Sequence, residues 1–304
     1  VSTLRQKTLH FIGVWAFVGQ ALAASYVLPE KSSSMGPQGM ALGGALAGTK
    51  NRSDFMISNP ASPGLEKKYT LGVRYTSAGD TMGAQIVDTS SSSLGGAVSY
   101  WRREFKDVNA SHDATLGSFN RLEAQSALSL MSQIAEGVSL GITGRHSYIR
   151  PIGAALSPKG SWSGDIGILL ELSKEWRLGL LGQDLLPDKQ VYLYRSFSLG
   201  LSGNLSSQLM LLTQVDFVRK PDGGKDTGFV KETSGPNFRA GLEFWVNPEI
   251  ALRSSYVALT SWDAALVGLG LAYKREKFAL DYGMRVNPDS SESLIHALAL
   301  SVDL

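Results

Sequence analysis

The 304-residue chain has no cysteine, which removes disulfides and thiolate metal sites and suits an oxidising compartment. Histidine is scarce, and His10, His112, His146 and His296 lie far apart, so no metal cluster is expected. Charged residues make up 18% of the chain, below the roughly 25% usual in soluble domains. The formal net charge is +2, with no basic run of the kind that marks a nucleic-acid surface, so no nucleic-acid partner is expected. Beyond the N-terminus, no stretch reaches the roughly 18 consecutive apolar residues of a membrane-crossing helix. Crossing β-strands would leave no such run. Catalytic signatures are missing too. There is no Gly-x-Ser-x-Gly elbow and no HExxH. Gly43 to Gly48 lacks the preceding strand and the closing Lys-Ser/Thr of a phosphate loop. Asp222 to Asp226 lacks the later bidentate Glu of a Ca²⁺ loop. The chain is therefore read as a non-enzyme without cofactor or metal.

Glycine, by contrast, is abundant at 33 residues, above the average of about 7%. The N-terminus carries Arg5 and Lys7, the apolar run Phe11 to Val18, and the small residues Ala21-Leu22-Ala23. That order is the pattern of a secretory signal peptide over residues 1–23, with the mature chain beginning near Ala24. Residues 24–66 come next, and their core, Met35 to Leu65, is rich in glycine and small residues and contains Asn59-Pro60-Ala61. It has neither helical period nor strand alternation, so it is expected to be a linker or a segment enclosed by the rest of the chain.

From residue 67 to 304 apolar and polar residues alternate in run after run, the mark of strands with two unlike faces. Tyr69, Leu71, Val73 and Tyr75 share one face; Thr70, Gly72 and Arg74 share the other. The pattern recurs to the final run, Leu294 to Leu304, giving about fourteen strands, an even number as in single-chain bacterial barrels. Ser173–Glu175, Asn204–Ser207, Asn247–Glu249 and Lys274–Lys277 read as tight turns. Lys106–Phe119, Arg150–Ser161, Asp184–Val191 and Arg219–Gly235 read as longer loops. Short turns at one rim and long loops at the other is the outer-membrane arrangement. The expected fold is all-β: a transmembrane antiparallel β-barrel in outer-membrane lipid, with residues 24–66 as an N-terminal hatch inside. Aromatics near strand ends would form its interfacial girdles.

The second face carries Arg74, Glu123, Arg145, Glu171, Asp216, Arg239, Glu243, Arg253, Asp281 and Arg285, with Asp165, Arg177 and Asp303, spaced by Gly, Ala and Ser. Inward, such charges can pair across a lumen; outward, an Arg at mid-depth would cost about 2–4 kcal/mol. They are read as a polar network lining the lumen and as structural pairs rather than acid–base catalysts. Within the expected hatch, Gly43, Gly44, Asn59, Pro60 and Ala61 are the candidate motif residues. Gly95-Gly96 marks the third strand as a candidate wall irregularity.

Several stretches resemble a known family. Met35 to Gly48 followed by Asn59-Pro60-Ala61 resembles the N-terminal region of the FadL and PorV superfamily of outer-membrane barrels. Gly182 to Pro187 is similar to a turn of that family. Phe238 to Phe244 with Ala251 to Arg253 resembles one of its hairpins. Phe278 to Met284 with Ser293 to Val302 resembles the PorV-type ending. The resemblance implies a hatch within fourteen strands and two functions. One is uptake of long-chain fatty acids or other hydrophobic compounds, as in FadL-like members. The other is service to protein export, as in PorV-like members. Short polar loops and a polar lumen face place first a PorV-like accessory acting through a secretion or envelope protein partner. A FadL-like channel with a hydrophobic small-molecule ligand is the alternative, and a structural barrel without transport is the third reading.

Overall fold

The computed structural model describes residues 35–50, 54, 58–109, 118–152, 158–186, 195–219, 236–260, 264–287 and 294–304. The expected signal peptide (1–23), the first part of the expected hatch, the Asp222–Asp226 loop, His10 and His112 lie outside them.

Fourteen strands form a closed antiparallel barrel in which each strand pairs with its sequence neighbours. They are β1 (Tyr69–Thr76), β2 (Thr81–Asp88), β3 (Leu94–Asn109), β4 (Ser118–Ala135), β5 (Val138–Ile152), β6 (Lys159–Glu171) and β7 (Trp176–Gln183). Then come β8 (Arg195–Asn204), β9 (Leu209–Arg219), β10 (Pro236–Trp245), β11 (Ile250–Leu259), β12 (Ala264–Arg275), β13 (Phe278–Val286) and β14 (Ile295–Asp303). β1 closes on β14 in register from Thr70↔Asp303 to Thr76↔Ala297, and Leu304 N–H donates to Tyr69 O at 2.9 Å. Closure leaves no edge strand with unpaired backbone groups, which is what allows a sheet to stand in hydrocarbon.

The alternation sorts by face. Val73, Ile86, Val98, Leu128, Ile142, Leu199 and Leu252 are outward and exposed, whereas Thr70, Ser99, Ser129, Ser139, Ser163 and Ser202 are inward and buried. Outward aromatics gather toward the two rims: Trp162, Phe197, Phe217, Phe238 and Tyr256 toward the long-loop end, and Phe244 and Phe278 toward the other. Ten strand residues at about 3.3 Å each, tilted by about 40°, cover close to the 25 Å of an outer-membrane apolar band.

Two sequence expectations need adjusting. Lys106–Phe119 is not all loop, because β3 runs on to Asn109 and β4 starts at Ser118, with a register shift between Phe105 and Val108. Pairing continues where the alternation fades, because Arg102, Arg103 and Glu104 put polar residues on both faces. Gly95-Gly96 does not interrupt the wall, since β3 pairs without a break from Leu94 to Phe105 against Ser132 to Arg121.

The N-terminal segment lies against the inner face of this wall. It holds one short helix, α1 (Pro37–Ala41), opened by proline at its first turn, where a missing N–H leaves no bond unmade. Gly43 (φ +64) and Gly44 (φ +74) end it in the left-handed region, where a side chain is disfavoured. Gly44 N–H donates back to Gly39 O at 2.6 Å. A 3-10 turn at Ser62–Leu65 leads into β1.

Candidate functional site

The candidate site is the lumen, where the wall meets residues 35–65. α1 packs on β13, β12, β14 and β11, and the 3-10 turn packs on β5 and β4. Between them the chain passes β10 to β6 in turn. A Cβ on Gly283 would overlap Pro37 O, one on Gly268 would overlap Met40 O, and one on Gly241 would press on the Leu42 backbone. Further round, Gly200 and Gly179 give the same clearance to Ala47 and Gly48, Gly167 to Asn59, and Gly141 to the Pro60–Ala61 peptide. Pairs Gly141↔Gly167, Gly179↔Gly200 and Gly270↔Gly283 are direct cross-strand neighbours. The wall thus carries a belt of glycines into which the segment's backbone fits.

Irregular backbone out of reach of water must find other hydrogen-bond partners. Ala47 N–H donates to Gln214 Oε1 at 2.9 Å, and Ser202 Oγ donates to Gly48 O at 2.6 Å. Ser139 Oγ donates to Ala61 O at 2.8 Å, and an Arg239 amine donates to Gly43 O at 2.7 Å. Asn59 is fully buried. Its amide donates to Ala47 O at 2.8 Å and Ile168 O at 2.9 Å, while its Oδ1 accepts from Ala61 N–H at 3.0 Å. One side chain therefore ties two parts of the segment to β6. Pro60 suits the position because it brings no N–H to satisfy.

Asp54 Oδ2 accepts from Gly39 N–H at 2.5 Å, and its other oxygen lies 3.7 Å from an Arg74 amine. Burial pushes this carboxyl above its ordinary value, against the opposing pull of Arg74 and of the Gly39 N–H. Lys50 reaches Glu171 at 2.6 Å, and Arg177 lies 3.6 Å from the same carboxylate.

The other charged lumen residues pair within the wall. Arg253 bridges Glu243, at 2.7 Å, and Asp281. Arg239 pairs with Asp216. Arg145 meets Asp165 and, at 3.1 Å, Asp184. Arg103 and Arg121 both hold Glu123. Arg285 is buried and points an amine at Met35 Sδ, 3.9 Å away. Removing one partner of such a buried pair costs about 3–5 kcal/mol.

Sequence reasoning missed Asp54, Arg103, Asp184 and Gln214. Asp54 sits in a stretch without period, and Arg103 falls in Trp101-Arg102-Arg103-Glu104, where polar residues on both faces erase the alternation. Outside the lumen, His296 Nδ1 and the Tyr282 hydroxyl are 2.6 Å apart on the outer face. Among the described residues no group of three or more His, Asp or Glu is placed to hold a metal ion.

No family model and no curated protein sequence matches the chain. Solved structures do match in fold. The Ralstonia pickettii toluene transporter TbuX is 12% identical, with 89% of this chain and 98% of that one covered at a TM-score of 0.64. The P. putida toluene transporter TodX is 10% identical, with 90% and 97% covered at 0.58. A Pseudomonas aeruginosa FadL homologue is 11% identical, with 92% and 99% covered at 0.58. These structures correct the sequence reading that put a PorV-like export accessory first, for they are two transporters of toluene and a FadL homologue. That reading leaned on the polar lumen, and much of that polarity is spent on the segment's own backbone and on pairs within the wall. The chain has the fold of these fourteen-stranded FadL-type barrels.

Proposed function

We propose that the protein is a FadL-type channel of the cell outer membrane that admits a small hydrophobic compound passively, without a catalytic step. Residues 24–66 are its hatch, Gly43, Gly44 and Asn59-Pro60-Ala61 seat that hatch, and residues 1–23 direct export. The observation that carries the reading is the lodging of the N-terminal segment in the glycine belt, with Asn59 tying it to β6. The toluene transporters of the same fold support the choice of a compact apolar solute.

In this mechanism the lumen network has two duties. Arg239, Gln214, Ser202 and Ser139 satisfy the hatch backbone and so hold the barrel shut to ions. The wall pairs Arg253–Glu243–Asp281 and Arg145–Asp165 stiffen the strands while leaving little unpaired charge in the lumen. The test is the initial uptake of labelled toluene at limiting concentration by cells whose outer membrane carries the protein. Uptake faster than in the same cells without it, and competed by unlabelled toluene, is the expected result. Equal uptake removes the reading.

A further inference from the structure

The outer face of β3 to β6 changes character from one cross-strand row to the next. At mid-wall the outward rows are apolar: Leu130–Ile142–Ile166, then Val98–Leu128 one row nearer the long-loop rim. The next row, Tyr100–Ser126–His146–Trp162, is largely aromatic, with the His146 and Trp162 rings 4.8 Å apart. Beyond it lies Arg102–Ala124–Tyr148, and beyond that Glu104–Leu122–Arg150. The Arg102 side chain is 57% exposed, and Arg150 is exposed as well. Toward the same rim β10 to β13 turn Phe238, Tyr256, Val267 and Val286 outward, none of them charged.

We propose that this face of β3 to β5 binds a glycolipid of the outer leaflet, with a headgroup phosphate held between Arg102 and Arg150. The site rests on the outer-membrane reading above, in which the long loops face outside. Apolar, then aromatic, then cationic is the order in which a lipid presents its acyl chains, its interface and its phosphate. Arg102 and Arg150 stand two strands and one outward row apart, so their Cα atoms are separated by roughly 12 Å. Two arginine side chains can close that span from opposite sides of one phosphate, and Ala124 between them leaves the gap open. The planar guanidinium fork matches phosphate oxygens two at a time. Glu104 lies 3.8 Å from Arg102, but an ion pair that long between exposed side chains is weak, and two guanidiniums outweigh one carboxylate.

The test is native mass spectrometry of the full chain in detergent, titrated with diphosphoryl lipid A or with the same lipid stripped of its phosphates. Arg102→Gln with Arg150→Gln removes both cations of the site. Arg195→Gln, at an exposed outward arginine of β8 near the same rim, removes one cation elsewhere. Heat-modifiable gel mobility confirms that each variant is folded. The unaltered protein and Arg195→Gln should bind one diphosphoryl lipid A with equal affinity. The double variant should bind it about tenfold more weakly, the scale of one charge-assisted hydrogen bond. The phosphate-free lipid should bind the unaltered protein as weakly as the phosphorylated lipid binds the double variant. Equal affinity of the double variant and Arg195→Gln would overturn the site. So would equal affinity of the unaltered protein for the two lipids, an outcome that depends on no variant. Neither readout involves toluene, so a barrel that fails the uptake test yet discriminates the lipids in this way loses its proposed cargo and keeps its lipid site.

Discussion

Asn59 concentrates more of the segment's attachment than any motif around it suggests. Its amide satisfies carbonyls of Ala47 and Ile168 from a fully buried position. Asn59→Leu keeps the volume and removes both donors, leaving buried carbonyls that cost about 1–3 kcal/mol each. The expected outcome is a segment that undocks more often, seen as higher resting conductance in planar bilayers, with the barrel's heat-modifiable gel shift unchanged. Arg253 predicts the converse. Arg253→Met leaves Glu243 and Asp281 facing each other without their shared cation. The loss, about 3–5 kcal/mol, should lower the temperature at which the folded gel band disappears.

At the scale of elements, the glycine belt makes a sharper prediction than composition alone could. Gly179→Val or Gly141→Val puts a side chain into backbone of the segment, against Ala47 O or the Pro60–Ala61 peptide, which cannot step aside as a flexible side chain would. Valine itself suits a strand, so the barrel should assemble while the segment is expelled and conductance rises. Gly96→Val is the matched control, because a Cβ there meets nothing within 4 Å; its conductance should equal that of the unaltered protein. The fourteen strands were legible in the sequence because most strands have an apolar outer face and a more polar inner one. Tyr69 to Thr76 shows this cleanly. The upper reaches of β3 and β4 were not legible, since Arg102, Arg103 and Glu104 put polar residues on both faces. The small residues on the inner face were visible as spacers, but which of them touch the segment was not. That depends on register between strands far apart in sequence, as with Gly141 beside Gly167 and Gly179 beside Gly200. For the same reason Gln214 gave no signal.

Among the described residues the barrel's outer face is largely apolar, while its interior mixes polar side chains with an apolar cluster of Met40, Val257, Leu259, Leu266, Ile295 and Ala297. Leu199 is 44% exposed on the outer face of β8, and Leu199→Arg should destabilise the membrane-inserted barrel by about 2–4 kcal/mol, measured by denaturant titration in lipid vesicles. A barrel indifferent to that change would not have β8 seated in hydrocarbon. The lumen's polarity was the feature most easily misread. It argued from sequence against an apolar solute and for a protein partner. In the fold, Arg239, Gln214, Ser202 and Ser139 turn that polarity on the segment. The segment's closure of the lumen is therefore the claim on which the account turns. The most direct measurement is single-channel conductance in planar bilayers for the full chain and for a chain lacking Met35 to Gly64. The account predicts a small or unresolved conductance for the former and large, steady openings for the latter. Equal conductance in the two would contradict it.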